Sequence, residues 1–262
     1  MDINKLKTII IDAAREELLP RFTNVKRGIK ADGSFLTEAD LAVQNRIADE
    51  LKAHWPDTLF LGEEMPASEQ QTLLQSGKPI WILDPLDGTS NYASGIPVYS
   101  VSLALIEQGE LKVGLVYDPE RDECFSAVKG QGAWLNDERL GPIDTGLGLK
   151  QCTGLIDFKR LSPELATRLA VEIPYASQRS FGSVALDWCW IAIGRSHVYL
   201  HGKQNLWDYA AGHLILAEAG GQSCTLEGEA VFNNSLQPRS AVAALDEKLF
   251  RVWVEWLGID RK

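Results

Sequence analysis

The chain is poor in the residues that most often announce chemistry by themselves. Among its 262 residues there are four cysteines and four histidines. Cys124, Cys152, Cys189 and Cys224 are scattered without a Cys-x-x-Cys pair, so neither a zinc site nor a disulfide framework is indicated, and reduced, buried thiols are expected. Long apolar runs are also missing. No stretch approaches the roughly 20 residues of a membrane span, so no membrane association is expected. The first apolar run, Thr8-Ile9-Ile10-Ile11, is broken by Asp12, which does not fit the uninterrupted core of a secretory signal. Positive charge is in deficit, with 26 Lys and Arg against 36 Asp and Glu and a formal net charge of −10. That balance argues against a general affinity for nucleic acid, which depends on clustered cations releasing counterions. A cytoplasmic location suits all of these absences.

What is present is a globular composition, 45% hydrophobic and 24% charged, with enough apolar material for a sizeable core or for two closely packed halves. Leu6, Ile9, Ile10, Ala13 and Ala14 recur at helical spacing, which predicts a helix over 3–19 ended by Pro20. Thr37-Glu38-Ala39-Asp40 opens a second helix through about His54. Strands are expected at Thr58 to Leu61 and Pro79 to Leu83. From Val98 to Val128 the pattern has period two, and Gln108-Gly109 divides it into an antiparallel hairpin or meander. Gly141-Pro142 and Gly146-Leu147-Gly148 are the best candidate boundary. They divide an α+β half, 1–141, from an α/β half, 142–262. In the second half, strands near 152–156, 197–201 and 222–226 alternate with helices near 162–170, 183–194 and 207–219, and Asp246 starts a closing helix.

The most informative segment is Trp81-Ile82-Leu83-Asp84-Pro85-Leu86-Asp87-Gly88-Thr89-Ser90-Asn91. An apolar strand there runs out into two acids, a proline, a glycine and a hydroxyl. Strand ends are the usual address for ligands in open α/β sheets, and carboxylate and carbonyl oxygens suit Mg²⁺ or Mn²⁺. A capped turn uses the same residue types. A calcium loop is excluded because Asp84 and Asp87 stand three apart, and a phosphate loop because the Gly-Lys-Ser/Thr ending is missing. Phosphatases with an aspartyl nucleophile carry Asp-x-Asp-Gly-Thr, one residue shorter between the acids, and remain a rival. Glu63 in Gly62-Glu63-Glu64 brings another carboxylate to a second strand end. Thr37-x-x-Asp40 and Trp207-Asp208 both read on their face as ordinary helix starts.

Taken together, Gly62-Glu63-Glu64, the segment from Trp81 to Tyr92, Trp207-Asp208-Tyr209-Ala210-Ala211-Gly212 and Glu218-Ala219-Gly220-Gly221 resemble the inositol monophosphatase family in identity, order and spacing. Lys30-x-Asp32-x-Ser34-x-x-Thr37-x-Ala39-Asp40 is similar as well. The resemblance implies an α/β fold, the layered αβαβα sandwich of the inositol monophosphatase and fructose-1,6-bisphosphatase type, and Mg²⁺-dependent hydrolysis of small phosphate monoesters. It implies that Glu63, Asp84 and the Leu86 carbonyl hold one metal, that Asp84, Asp87 and Asp208 hold a second, and that Glu63 helps hold a third, weaker ion carrying the attacking water. Thr89, hydrogen-bonded to Asp40, would orient and deprotonate that water. Gly88 and Thr89 would receive the phosphate, while Ser183 and Val184 in Gly182-Ser183-Val184, together with Asp208, would contact the substrate. Inhibition by Li⁺ and homodimerisation are also family expectations.

His201 departs from the pattern. Members acting on inositol phosphates place a glutamate seven residues before the metal-binding Asp208, where it accepts hydrogen bonds from ring hydroxyls. A histidine there can bind a hydroxyl or a second phosphate, or it can simply end a strand. The substrate expected is an inositol, sugar or polyol monophosphate. The alternatives are a 3′(2′),5′-bisphosphate nucleotidase, although those carry Thr-Lys-Glu where this chain has Thr89-Ser90-Asn91, and a regulatory or binding member of the family.

Overall fold

The computed structural model describes residues 2–22, 27–29 and 35–260. Lys30, Asp32 and Ser34 lie outside the described residues. The first helix, α1 (Ile3–Ala13), is capped by Asp2, whose side chain accepts from the Asn4 and Lys5 amides. Helical winding then continues as a π turn over Ala14–Leu18 and a 3₁₀ turn over Leu19–Arg21. Pro20 therefore does not end the winding at residue 19. It sits in the first turn of the 3₁₀ segment, where its missing N–H leaves no bond unmade.

A short antiparallel pair, β1 (Arg27–Ile29) and β2 (Phe35–Thr37), leads into α2 (Glu38–His54), which begins at Thr37 as expected. Next come β3 (Leu59–Gly62), α3 (Ala67–Gln75), β4 (Ile80–Asp87), α4 (Thr89–Ala93), β5 (Ser100–Glu107), β6 (Glu110–Asp118), β7 (Glu123–Val128), β8 (Gly132–Leu135) and β9 (Glu138–Arg139). The strands from β3 to β9 pair in sequence order as one seven-stranded sheet, parallel only between β3 and β4. At the β5–β6 turn Gln108 and Gly109 both have positive φ, 55° and 73°, the backbone that a two-residue hairpin needs to match strand twist.

The remaining elements are β10 (Thr153–Asp157), α5 (Pro163–Glu172), β11 (Ser177–Arg179), α6 (Val184–Ala192), β12 (Val198–Gln204), α7 (Leu206–Glu218), β13 (Gln222–Cys224), β14 (Arg239–Ala244) and α8 (Glu247–Leu257). Their strands form a second sheet in the order β11-β10-β12-β14-β13.

Alternation along the strands sets the layers. On β4, Trp81 and Leu83 face a core shared with α1 and α2, while Ile80 and Ile82 face a core shared with α6 and α7. On β14, Ala241 and Ala243 face that same α6–α7 core, while Val242 and Ala244 meet α8. Helices α6 and α7 are thus enclosed by both sheets, which explains why Trp188-Cys189-Trp190-Ile191 and Leu214-Ile215-Leu216 lack a polar face. The result is a five-layer αβαβα sandwich. All four cysteines are buried free thiols. Among the described residues no helix is long and apolar enough to cross a membrane.

The α7 layer lies very close to β6. A Cβ on Gly114 would stand 2.7 Å from the Ala211 carbonyl oxygen and 3.0 Å from its Cα, both rigid backbone atoms. Gly114→Ala is expected to lower stability by about 1–3 kcal/mol, the usual cost of overpacking a tight core. Urea unfolding followed by tryptophan fluorescence measures it, and an unchanged midpoint would show that α7 can move away freely.

Candidate active site

The site is built where β4 breaks its ladder. Pairing with β5 shifts between Asp84↔Ser102 and Asp87↔Ser100, so two residues of β4 oppose one of β5. Pro85, which has no N–H to give, sits inside this bulge, the one setting in which a central strand tolerates it. The Leu86 amide turns back to Asp84 Oδ1 at 3.0 Å. Gly88 then reverses the chain at φ 93°, and a Cβ there would lie 2.9 Å from the Val98 carbonyl oxygen. Only glycine satisfies both the dihedral and the space. Thr89 starts α4, and Asn91 Nδ2 anchors that helix by donating to the Val98 and Phe181 carbonyls at 2.8 and 2.6 Å.

Neighbouring elements bring further acids to this bulge. Glu63 follows β3, its amide donating to Leu83 O at 3.0 Å, and Gln70 Nε2 steadies the turn through the Gly62 and Glu63 carbonyls. Asp208 lies in the first turn of α7, where its Oδ2 accepts from the Asn205 amide at 2.8 Å. Asp40 completes the α2 capping box by accepting from the Thr37 amide and hydroxyl at 2.7 and 2.6 Å. Its other oxygen stands 3.4 Å from Thr89 Oγ1, whereas Leu86 O is only 2.9 Å from that hydroxyl. Since Thr89 has one proton to donate, the Leu86 carbonyl holds it in this arrangement.

Glu63, Asp84, Leu86, Asp87, Gly88 and Thr89 line one cleft of about 450 Å³ with Ser183, Val184, His201 and Asp208. Asp40 lies behind Thr89 and does not line it. Ser183 is committed to Asp87: its hydroxyl donates to Asp87 Oδ2 at 2.6 Å, and the Ala185 amide donates to the same oxygen at 2.7 Å. The N-terminus of α6 therefore holds an acid of the site.

Burial raises the Asp84 carboxyl far above its ordinary range, reinforced by Glu63, Asp87 and Asp208 and by a hydrogen bond with Glu63. Asp87 is pushed up to about 6, first by burial, although Ser183 and the α6 amides oppose the shift. Asp208 is raised by burial and then by Asp87 and Glu63. Among the described residues, no three His, Cys, Asp or Glu side chains are drawn into a ready-made metal cage. The donor chemistry nonetheless fits small divalent cations, because enclosed carboxylates that raise one another's pKa are the groups a dication would relieve. Glu63, Asp84, Asp87, Asp208 and the Leu86 carbonyl are the residues that could hold them.

A sequence profile of the inositol monophosphatase family matches residues 3–255. The chain belongs to this family. "Inositol monophosphatase 1" of Solanum lycopersicum is 36% identical over 223 residues, 81% of each chain. "Nus factor SuhB" of Pasteurella multocida is 35% identical over 244 residues, 86% of this chain and 87% of that one. The crystal structure of the extragenic suppressor protein suhB from Bartonella henselae superposes with a TM-score of 0.83 at 28% identity, covering 97% of both chains.

Within this inositol monophosphatase family member, the far side of the cleft holds residues that the sequence did not single out: Asp157, Lys159, Arg160 and Asp187. Asp157 and His201 are register partners on the parallel strands β10 and β12, 2.9 Å apart from Oδ2 to Nε2. Asp187, on the first turn of α6, is buried with Oδ1 unpartnered, and burial raises its carboxyl well above the ordinary range, as Asp87 and Asp157 also do. Asp187 could have been suspected from its position four residues after the cap Ser183. Asp157 needed the strand register.

Proposed function

We propose that this chain hydrolyses a small phosphate monoester, an inositol, sugar or polyol monophosphate, with Mg²⁺ or Mn²⁺ held by Glu63, Asp84, Asp87, Asp208 and the Leu86 carbonyl. The observation that carries it is the convergence of four acids from two strand ends and a helix start on one cleft, where Asp84, Asp87 and Asp208 have raised pKa values. Divalent cations bound there would cancel repulsion toward a phosphate dianion, lower the pKa of water and stabilise the attacking and leaving oxygens of an in-line displacement.

The chain's own groups have distinct tasks. Gly88 and Thr89, at the start of α4, form the wall that receives the phosphate. The Thr89 hydroxyl donates to the Leu86 carbonyl here and would pass a proton on by turning to Asp40, 3.4 Å away. Ser183 and Val184 belong to the helix start that fixes Asp87, and the Leu86 amide donates to the enclosed Asp84 carboxylate. Asn91, where bisphosphate nucleotidases carry a different residue, is engaged by two backbone carbonyls.

Phosphate release with saturating Mg²⁺ tests this assignment. Turnover of inositol, sugar or polyol monophosphates should exceed that of adenosine 3′,5′-bisphosphate, and acid-quenched protein should carry no phosphoaspartate at Asp84 or Asp87. Preference for the bisphosphate would make the chain a nucleotidase, and a trapped phosphoaspartate would favour the aspartyl-nucleophile route. Homodimerisation, sensitivity to Li⁺ and a cytoplasmic location belong to the same proposal. The relative named as a Nus factor supports a second, regulatory role. Absence of turnover across the panel, with a protein partner co-purifying, would establish that role instead.

A further inference from the structure

We infer that Asp157 accepts a hydroxyl of the substrate's alcohol, and that His201, whose place in the sequence suggested that task, is a positioning residue that holds Asp157. The inference rests on the phosphatase assignment above and names the group that selects its substrate.

Both nitrogens of His201 are occupied. Nδ1 lies 3.2 Å from the Lys203 amide, which can only donate, so Nδ1 must accept and the ring proton resides on Nε2. Nε2 then donates to Asp157 Oδ2 at 2.9 Å. The His201 side chain is 7% exposed, against 20% for Asp157, so the carboxylate is the more open member of the pair. Asp157 Oδ1 also accepts from the Lys159 amide at 3.1 Å, which leaves each carboxylate oxygen a lone pair for another donor. Burial opposes ionisation of Asp157, but His201, the Lys159 amide and Arg160 outweigh it and hold the carboxyl below its usual range.

The chain is built to bring this acid close. A Cβ on Gly202 would lie 1.9 Å from the Arg160 carbonyl oxygen, so the turn after Asp157 packs directly on the β12 backbone beside His201. An anion on β10 thereby stands beside position 201 on β12, and both residues line the cleft. The ligand recognised is a phosphate monoester whose alcohol bears a hydroxyl away from the phosphate.

Steady-state kinetics with inositol 1-phosphate and with para-nitrophenyl phosphate, which has no such hydroxyl, test the assignment. Asp157→Asn should raise KM for inositol 1-phosphate at least about tenfold relative to KM for the aryl phosphate, as expected for a lost hydrogen bond to a charged acceptor. His201→Ala should shift the same ratio in the same direction, and the double variant should be no worse than Asp157→Asn. Adding His201→Glu to Asp157→Asn should recover much of the loss. Equal losses on both substrates, or a loss for His201→Ala with none for Asp157→Asn, would overturn the inference. Wild-type turnover of the aryl phosphate alone would overturn it while sparing the phosphatase assignment. Turnover of neither would remove both.

Discussion

Asp87→Asn should lose roughly 1,000-fold in kcat/KM for phosphate release, a deficit of about 4 kcal/mol, and yet make the metal-free protein harder to unfold at neutral pH. The loss of activity follows from removing a buried anion from the group proposed to hold divalent cations. Fold should survive, because the amide oxygen of asparagine can still accept from the Ser183 hydroxyl and the Ala185 amide. The gain in stability follows from electrostatics. A carboxyl moved from 3.8 to about 6 by its surroundings is disfavoured as an anion by roughly 3 kcal/mol at pH 7.5. A neutral amide escapes that penalty and also relieves Asp84 and Asp208, both raised partly by Asp87. Phosphate release at limiting Mg²⁺ and urea unfolding in chelator provide the two readouts. Wild-type activity at limiting Mg²⁺ would take Asp87 out of the metal set, whereas an unfolding midpoint below wild type would show that its hydrogen bonds outweigh its charge.

This opposition between activity and stability shows why part of the site was readable from sequence and part was not. Asp84, Pro85, Asp87 and Gly88 fall within five residues, and each is of a type that is costly at a buried strand end unless it has a ligand or a turn to serve. Residues 81–91 therefore stood out as a turn or a ligand site without any knowledge of the fold, and the family resemblance decided between the two. The capping box at Thr37 and the helix start at Trp207-Asp208 were visible too, whereas their second use, in aiming Asp40 at Thr89 and Asp208 into the cleft, came only with the family resemblance. Asp157 had no local signal, because its meaning comes from a strand partner 44 positions away at His201.

The fold divides similarly. The helix at 38–54, the 108–109 hairpin turn and the Asp246-capped final helix follow from local chemistry. β14 escaped detection because Arg239-Ser240-Ala241-Val242-Ala243-Ala244 is small-residue backbone with little strand propensity of its own. Its small side chains suit a strand paired on both sides, with β12 and β13, and covered by helices on both faces. α3 escaped because only Gln70 and Leu74 of its nine residues are buried, too few to make a periodic stripe. β11 has three residues and exists through its pairing with β10.

In chelator, the buried acids should lose their stabilising contribution as pH rises through about 6 and beyond, and Mg²⁺ or Mn²⁺ should largely abolish that loss. Asp87 is raised to about 6 and Asp84, Asp187 and Asp208 are raised well above 3.8, so above pH 3.8 the native state binds more protons than the unfolded chain and gives them up as pH climbs through the folded values. Their stabilising contribution is complete below the unfolded value and is lost as pH climbs through the folded one. His213 works in the opposite sense. Burial lowers it from 6.5 to about 4, so its neutral ring favours the native state increasingly across that window and adds no slope above it. Asp157 and Asp246 are lowered, and their contributions are lost only in acid, below the range considered. Between pH 4 and 6.5 the acids and His213 therefore oppose each other, and above 6.5 His213 no longer offsets them. A cation that binds only the ionised native site adds about 2.7 kcal/mol at 100 times its Kd, and its effect grows with pH as it competes with fewer protons. Thermal unfolding across this range, with chelator and then with each metal, measures both slopes. A chelated protein whose Tm rises toward pH 8, or one indifferent to both ions, would mean that these carboxylates are neither in conflict with one another nor able to share a cation.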